Sequence, residues 1–209
     1  MNKRIISISV LLLILFLLTV NLRYSIFNLS FYEKEFEKHN VYNNIPKETA
    51  LNTTIQLLNY LEKDTADQPP NIALFNEKEN SHLLNVKQLI QKGIIFYYII
   101  SISLLILLYC IIKNRSYCEL SISLITAGII IDVFFLILLM TNFNISFEIF
   151  HKIFFKGNYL FSPESNLIKL FPLKFFYDFF IKIAVLTLIE ANIFIIAGIF
   201  LKKRWGERK

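Results

Sequence analysis

Four stretches of this chain are apolar for long enough to cross a bilayer, and they leave few folds open. They run over about 5–22, 94–112, 120–141 and 183–201. A hydrocarbon core of roughly 30 Å takes about 20 helical residues. None of the four alternates as barrel strands do, so helices must satisfy the backbone in lipid. An apolar share of 55% over 209 residues and a positive mean hydropathy point the same way. The sequence therefore predicts an all-α integral membrane protein: four transmembrane helices with a mainly helical, membrane-proximal extracytoplasmic domain built from two long loops.

The segments follow in order. Residues 1–23 hold the first transmembrane helix, and 24–93 an extracytoplasmic loop with short helices. Residues 94–141 form a transmembrane hairpin with a short cytoplasmic loop, and 142–182 a second extracytoplasmic loop. Residues 183–209 are the last transmembrane helix and a basic cytoplasmic tail. The charges support this layout. Lys3 and Arg4 precede the first span, Lys113 and Arg115 sit in the short hairpin loop, and Lys202, Lys203, Arg204, Arg208 and Lys209 follow the last span. Lysine and arginine concentrated beside spans mark the cytoplasmic face. Both termini are expected there, with the two long loops outside. The net charge of +6 is thus a topology signal and not a nucleic-acid patch. Asn21-Leu22-Arg23-Tyr24 offers no small-residue cleavage site, so the first span reads as an anchor. Cys110 and Cys118 flank the cytoplasmic loop, where a disulfide is disfavoured.

The first long loop reads as a short helix over 31–40, in which His39 stands among charges as a solvated surface residue. A second helix opens at Pro46-Lys47-Glu48, with Leu51, Ile55 and Leu58 as its apolar stripe. Turn-formers over 64–70 make a connection. Residues 75–90 are helical in period, with Leu83, Val86 and Ile90 on one side and His82 at the edge of that face. In the second loop Phe147, Phe150 and Phe154 share a helical face in the piece that contains His151. A Gly157-Asn158 turn follows, then a helix over 163–171 with Ser162 as N-cap and Pro163 at its first position. Residues 172–181 lead into the last span. So many phenylalanines suit a domain half-sunk in the headgroup layer, with membrane lipids as partners.

Asp132 and Glu190 fall inside spans, where a carboxylate is costly. Both read more readily as acids hydrogen-bonded to a neighbouring helix, for instance through Asn192, than as a proton path. The chain has no Gly-rich phosphate loop, no G-x-S-x-G turn, no H-E-x-x-H and no cysteine cluster. No cofactor and no metal site are predicted. What remains outside is His82 and His151, two imidazoles able to move protons near neutral pH.

Two stretches carry a resemblance. Phe75-x-Glu77-x-x-x-Ser81-His82-Leu83-x-x-Val86-Lys87-x-Leu89-Ile90 is the weaker. The stronger is Phe150-His151-x-Ile153-Phe154-Phe155, followed by Leu160-Phe161-x-Pro163, Leu167-Ile168, Phe171-Pro172 and Phe175-Phe176-x-Asp178. Together they resemble the bacterial lipoprotein intramolecular transacylases, small four-span proteins of low-GC Gram-positive bacteria. The resemblance covers nearly the whole chain. It implies an acyltransferase acting on a diacylglyceryl-modified lipoprotein N-terminus, moving the sn-2 acyl chain to the α-amine of the same cysteine and leaving a lyso-form lipoprotein. It also implies that His82 and His151 are the catalytic pair; of the two, His82 is here taken as base and His151 as its partner. The chain departs from the family's pattern at Asn85, where an acid is common, and at Tyr159, Ser162 and Asn166, where a tryptophan and acids stand. The alternative is a non-catalytic envelope protein serving binding, assembly or sensing. It predicts that both histidines can become alanine without effect. The oligomeric state is left open.

Overall fold

The computed structural model describes residues 2–63, 68–155 and 160–205. The predicted Gly157-Asn158 turn, Tyr159 and most of the 64–70 connection lie outside these residues. The described chain is helical: α1 (Lys3–Ile26), α2 (Leu29–Lys38), α3 (Lys47–Glu62), α4 (Glu77–Lys113), α5 (Tyr117–Leu139), α6 (Phe143–Phe154), α7 (Asn166–Leu170) and α8 (Leu173–Trp205). A 3₁₀ turn, Val41–Asn43, follows α2. Four helices, α1, α4, α5 and α8, are long and apolar enough to span a membrane. The helices group into two compact units, a span unit (1–23, 94–141, 183–209) and a loop unit (24–93, 142–182).

In the span unit small residues mark where helices meet. Ser121, Ser123, Ala127, Thr187 and Ala191 are fully buried, while Leu105, Tyr109, Leu136 and Ile196 face outward. This is the inversion expected when lipid is the solvent: bulk outside, close backbone approach inside. Gly128 and Gly198 make that approach possible. A Cβ on Gly128 would stand 2.7 Å from the Ala191 carbonyl oxygen, and one on Gly198 would stand 2.8 Å from that of Ser121. The hairpin between α4 and α5 closes at Arg115, whose φ of 54° lies in the left-handed region that ends helices. Cys110 and Cys118 are free thiols.

The intramembrane carboxylates are hydrogen-bonded. Asn21 Nδ2 donates to Glu190 Oε2 at 2.6 Å and to Thr187 Oγ1 at 3.2 Å. Asn192 Nδ2 lies 3.4 Å from Asp132 Oδ1.

The loop unit packs a core of its own. Tyr32 and Phe36, one turn apart on α2, are buried against Phe171 and Phe175. Asn28 starts α2 by accepting the Phe31 N–H. α3 buries Ala50, Thr53, Thr54, Leu57, Leu58 and Leu61, and Ile55 is exposed. The stripe read from the sequence was therefore misplaced at Ile55. Thr54 takes the inner position because its hydroxyl donates to the Ala50 carbonyl at 2.8 Å, so burial leaves no polar group unmet. α4 does bury Leu83 and packs Val86 and Ile90 on the same core.

Candidate functional site

His82 sits in the second turn of α4. That helix begins at a reciprocal cap in which Asn76 Oδ1 accepts the Glu79 N–H at 2.9 Å and Glu79 Oε2 accepts the Asn76 N–H at 2.7 Å. The cap fixes the first turn and so the direction in which His82 leaves it. The imidazole is buried, with the ring of Phe155 at 4.9 Å and that of Phe161 at 5.2 Å between centroids. Lys78, one turn before His82, donates to the Leu160 carbonyl at 2.8 Å and lies 5.1 Å above the Phe161 ring.

His151 sits in the last turn of α6. Asn142 caps α6 by accepting the Asn144 N–H. The His151 ring packs on Phe147 at 4.2 Å, Phe150 at 5.5 Å and Phe155 at 5.3 Å. Its Nδ1 lies 2.8 Å from the Phe147 carbonyl oxygen. A carbonyl only accepts, so Nδ1 carries the proton and the neutral ring keeps its basic lone pair on Nε2. Burial lowers the His151 pKa from its ordinary value, and the Phe147 hydrogen bond offsets part of that fall. The structure thus brings the two imidazoles, 69 positions apart in the sequence numbering, onto one shared ring, that of Phe155. Aromatic surroundings favour the neutral form of His151, which is the form that accepts a proton.

Two sequence expectations beside the site are corrected. The helix after His151 begins at Asn166, not at Pro163: the Ser165 side chain accepts the N–H of Ile168, three residues on, as an N-cap does, whereas the Ser162 hydroxyl accepts only that of Glu164, two residues on. The Ser162 carbonyl also closes a turn by accepting the Ser165 N–H. His39 is not solvated. Its side chain is 12% exposed, and Nε2 lies 2.6 Å from Asp178 Oδ2 and 3.2 Å from Glu35 Oε2. Glu35, His39 and Asp178 are the one group of metal-type donors gathered among the described residues. Lys38 Nζ already meets Asp178 Oδ2 at 2.6 Å and Glu35 Oε2 at 3.4 Å, so these carboxylates have cationic partners within the chain. Sequence reasoning also passed over Glu79, although Asn76-x-x-Glu79 is a legible capping pattern.

Four long apolar helices and a separate helical unit carrying two ring-packed imidazoles define a multi-pass membrane protein of the all-helical class. The chain belongs to the lipoprotein intramolecular transacylase Lit family, whose pattern matches residues 7–176. Its fold is similar to that of the membrane integral lipoprotein intramolecular transacylase Lit from Bacillus cereus. The TM-score is 0.80 at 18% identity, over 97% of this chain and 96% of that one. Two further structures of that protein carry a histidine replaced by arginine or by alanine. They match with TM-scores of 0.78 and 0.80, at 20% and 19% identity, over 96% and 97% of this chain and 92% and 94% of theirs. An uncharacterized protein from Aquifex aeolicus (strain VF5) is 29% identical over 130 residues, 62% of this chain. The chain spans 58% of that relative's length.

Proposed function

We propose that this protein catalyses intramolecular acyl transfer on bacterial lipoproteins, moving the sn-2 acyl chain of a diacylglyceryl-cysteine to that cysteine's own α-amine. The observation that carries this reading is the meeting of His82 and His151 on the Phe155 ring. The substrate supplies both nucleophile and ester, so the protein's task is proton transfer, orientation and exclusion of water. The α-amine has a pKa of roughly 7.7–8.0, within reach of an imidazole base. Its nitrogen attacks the ester carbonyl carbon and forms the new C–N bond. The C–O bond to the glycerol sn-2 oxygen then breaks, and the proton lost by nitrogen ends on that oxygen. Nothing is consumed, and the product is an N-acyl, S-monoacylglyceryl lyso-form lipoprotein.

The sequence reading took His82 as base, but the tautomer held by Phe147 favours the reverse. His151, neutral and with Nε2 basic, takes the amine proton. His82 donates a hydrogen bond to the developing oxyanion, and the protonated His151 then returns its proton to the leaving oxygen. Holding amine and ester on one scaffold supplies part of the barrier reduction through effective molarity. Asn85 lies one turn beyond His82, and its amide would orient the imidazole less firmly than a carboxylate would. In this reading both termini are cytoplasmic and the histidines serve substrate in the outer leaflet.

Mass spectrometry of a reporter lipoprotein's N-terminal peptide tests the proposal. The host would make only diacylglyceryl lipoproteins and express the native chain, His82→Ala or His151→Ala. One acyl chain should move to the amine, at unchanged total mass, with the native chain alone. A free amine in all three strains, with the protein present in the membrane, rejects acyl transfer and leaves a binding or sensing role.

A further inference from the structure

Beside the histidine pair stands a carboxylate almost cut off from solvent. Glu79 is 1% exposed, and a carboxylate is costly to bury unless its lone pairs are met. The reciprocal cap with Asn76 accounts for one oxygen, Oε2. A cap of this kind needs no more than that and serves equally well at a surface. The second oxygen reaches elsewhere. Oε1 accepts the N–H of Leu167 at 2.9 Å, 88 residues along the chain and in the only full turn of α7. Asn166 makes a parallel tie by donating to the Leu74 carbonyl at 2.7 Å. Glu79 and His82 are three residues apart on α4, so they share a helical face. The same turn therefore holds the imidazole and grips the second loop, whose Phe161 lies against that imidazole.

We propose that Glu79 is a positioning residue for the histidine pair: its buried carboxylate latches the second loop, at Leu167, onto the turn of α4 that carries His82. The catalytic consequence rests on the acyl-transfer reading; the latch itself does not. Loss of one carboxylate oxygen leaves an N–H unmet, or sets an amide NH₂ against it. The loop then separates from α4, and the aromatic cover over His82 opens. A purely local fastener behaves differently. Asn80, on the same turn, donates to the Phe75 carbonyl at 2.9 Å and holds residues just before the helix. It does not reach the second loop in these contacts, which makes it the control.

The test uses the full chain in detergent micelles, as native protein, Glu79→Gln, Asn80→Ala and Leu167→Pro. The proline variant deletes the donated N–H near a helix start, where proline is tolerated, and leaves the carboxylate in place. Each is read by thermal unfolding, by the rate at which diethyl pyrocarbonate modifies His82 (followed by peptide mass spectrometry), and by transfer on a synthetic diacylglyceryl-cysteine peptide. Glu79→Gln and Leu167→Pro should each speed His82 modification about tenfold, the effect of one unmet buried group. Glu79→Gln should lower kcat about tenfold with KM within about threefold. Asn80→Ala should lower Tm as Glu79→Gln does, yet change His82 modification and kcat by less than about twofold. Native protection of His82 in Glu79→Gln, or equal deprotection in Asn80→Ala at matched Tm, overturns the proposal. If the native chain transfers no acyl group, the acyl-transfer reading fails while the modification rates still decide the latch.

Discussion

His39 Nε2 meets Asp178 Oδ2 at 2.6 Å, a contact that joins α2 to α8 within the loop unit. Lys38 Nζ shares the same oxygen at the same distance. Burial alone would raise the Asp178 pKa, but hydrogen bonds with Lys38, Glu35 and His39 outweigh it and hold the carboxyl below its usual value. A carboxyl depressed in the folded state contributes stability above its unfolded pKa and loses it as pH falls through the folded one.

The first prediction follows from that sign. Asp178→Asn should lower unfolding stability at pH 7 by about 1.5–3 kcal/mol, the range for hydrogen bonds to charged groups. The deficit should begin to shrink as pH falls below about 4, where the unfolded carboxyl takes up its proton, and should go on shrinking down to the lower folded value. Lys38→Ala, with a side chain 54% exposed, should cost less than about 1 kcal/mol. Thermal unfolding at both pH values checks all three. An Asp178→Asn deficit independent of pH would mean that shape, not charge, makes the joint.

A second prediction concerns the close approach of α5 and α8. Gly128 and Gly198 face each other's helices, and an added Cβ at either would press on backbone carbonyl oxygen as well as on Ile195 or Ile125. Backbone cannot swing away as a side-chain tip can. Gly128→Ala and Gly198→Ala should each destabilise the protein by about 1–3 kcal/mol. The double variant should cost less than the sum, because one widening of the α5–α8 gap relieves both clashes. Strict additivity would place the two strains in separate adjustments.

The spans, the hairpin and the helix face of Leu83, Val86 and Ile90 were legible because hydropathy and helical period are local properties. His151 stood out as a histidine in a run of phenylalanines, whereas His82 lay at the edge of an apolar helix face and drew notice as the other outer imidazole of the family resemblance. What the sequence hid depends on distant partners. His39 looks solvated beside Glu35 and Lys38 until Asp178 arrives from 139 residues away. Ser162 and Ser165 are equally good caps on paper, and the choice fell to Ser165. Ile55 had the right period but lost its place to Thr54, whose back-bond to Ala50 no hydropathy scale records.

A third prediction separates the intramembrane acids from the chemistry. Glu190 Oε2 accepts from Asn21, and the buried amide also reaches Thr187. Glutamine keeps an acceptor oxygen, so Glu190→Gln should leave both stability and acyl transfer near native levels. Glu190→Ala should cost about 0.6–2 kcal/mol, the range for an interhelical hydrogen bond in a membrane, again with transfer retained. Loss of transfer in Glu190→Gln, at native stability, would give this carboxyl the proton-path role that its bonding argues against.

The last prediction tests His151 as the base. Burial depresses its pKa, and the Phe147 hydrogen bond restores only part of it. The unfolded chain therefore binds this proton more readily than the folded one. Stability should fall as pH drops from about 6.5 toward the folded value and level off below it. A base must be neutral, so the acid limb of kcat/KM should have its midpoint below about 6.5. Phe147, whose ring lies 4.2 Å from the imidazole, supplies much of the cover. Phe147→Ala keeps the backbone carbonyl and admits water, so desolvation weakens and the midpoint should move up toward 6.5. The same shift must appear in the His151 titration followed by NMR in micelles. If the kinetic midpoint stays fixed while the His151 titration moves, the proton is taken by another group, and His82 becomes the base.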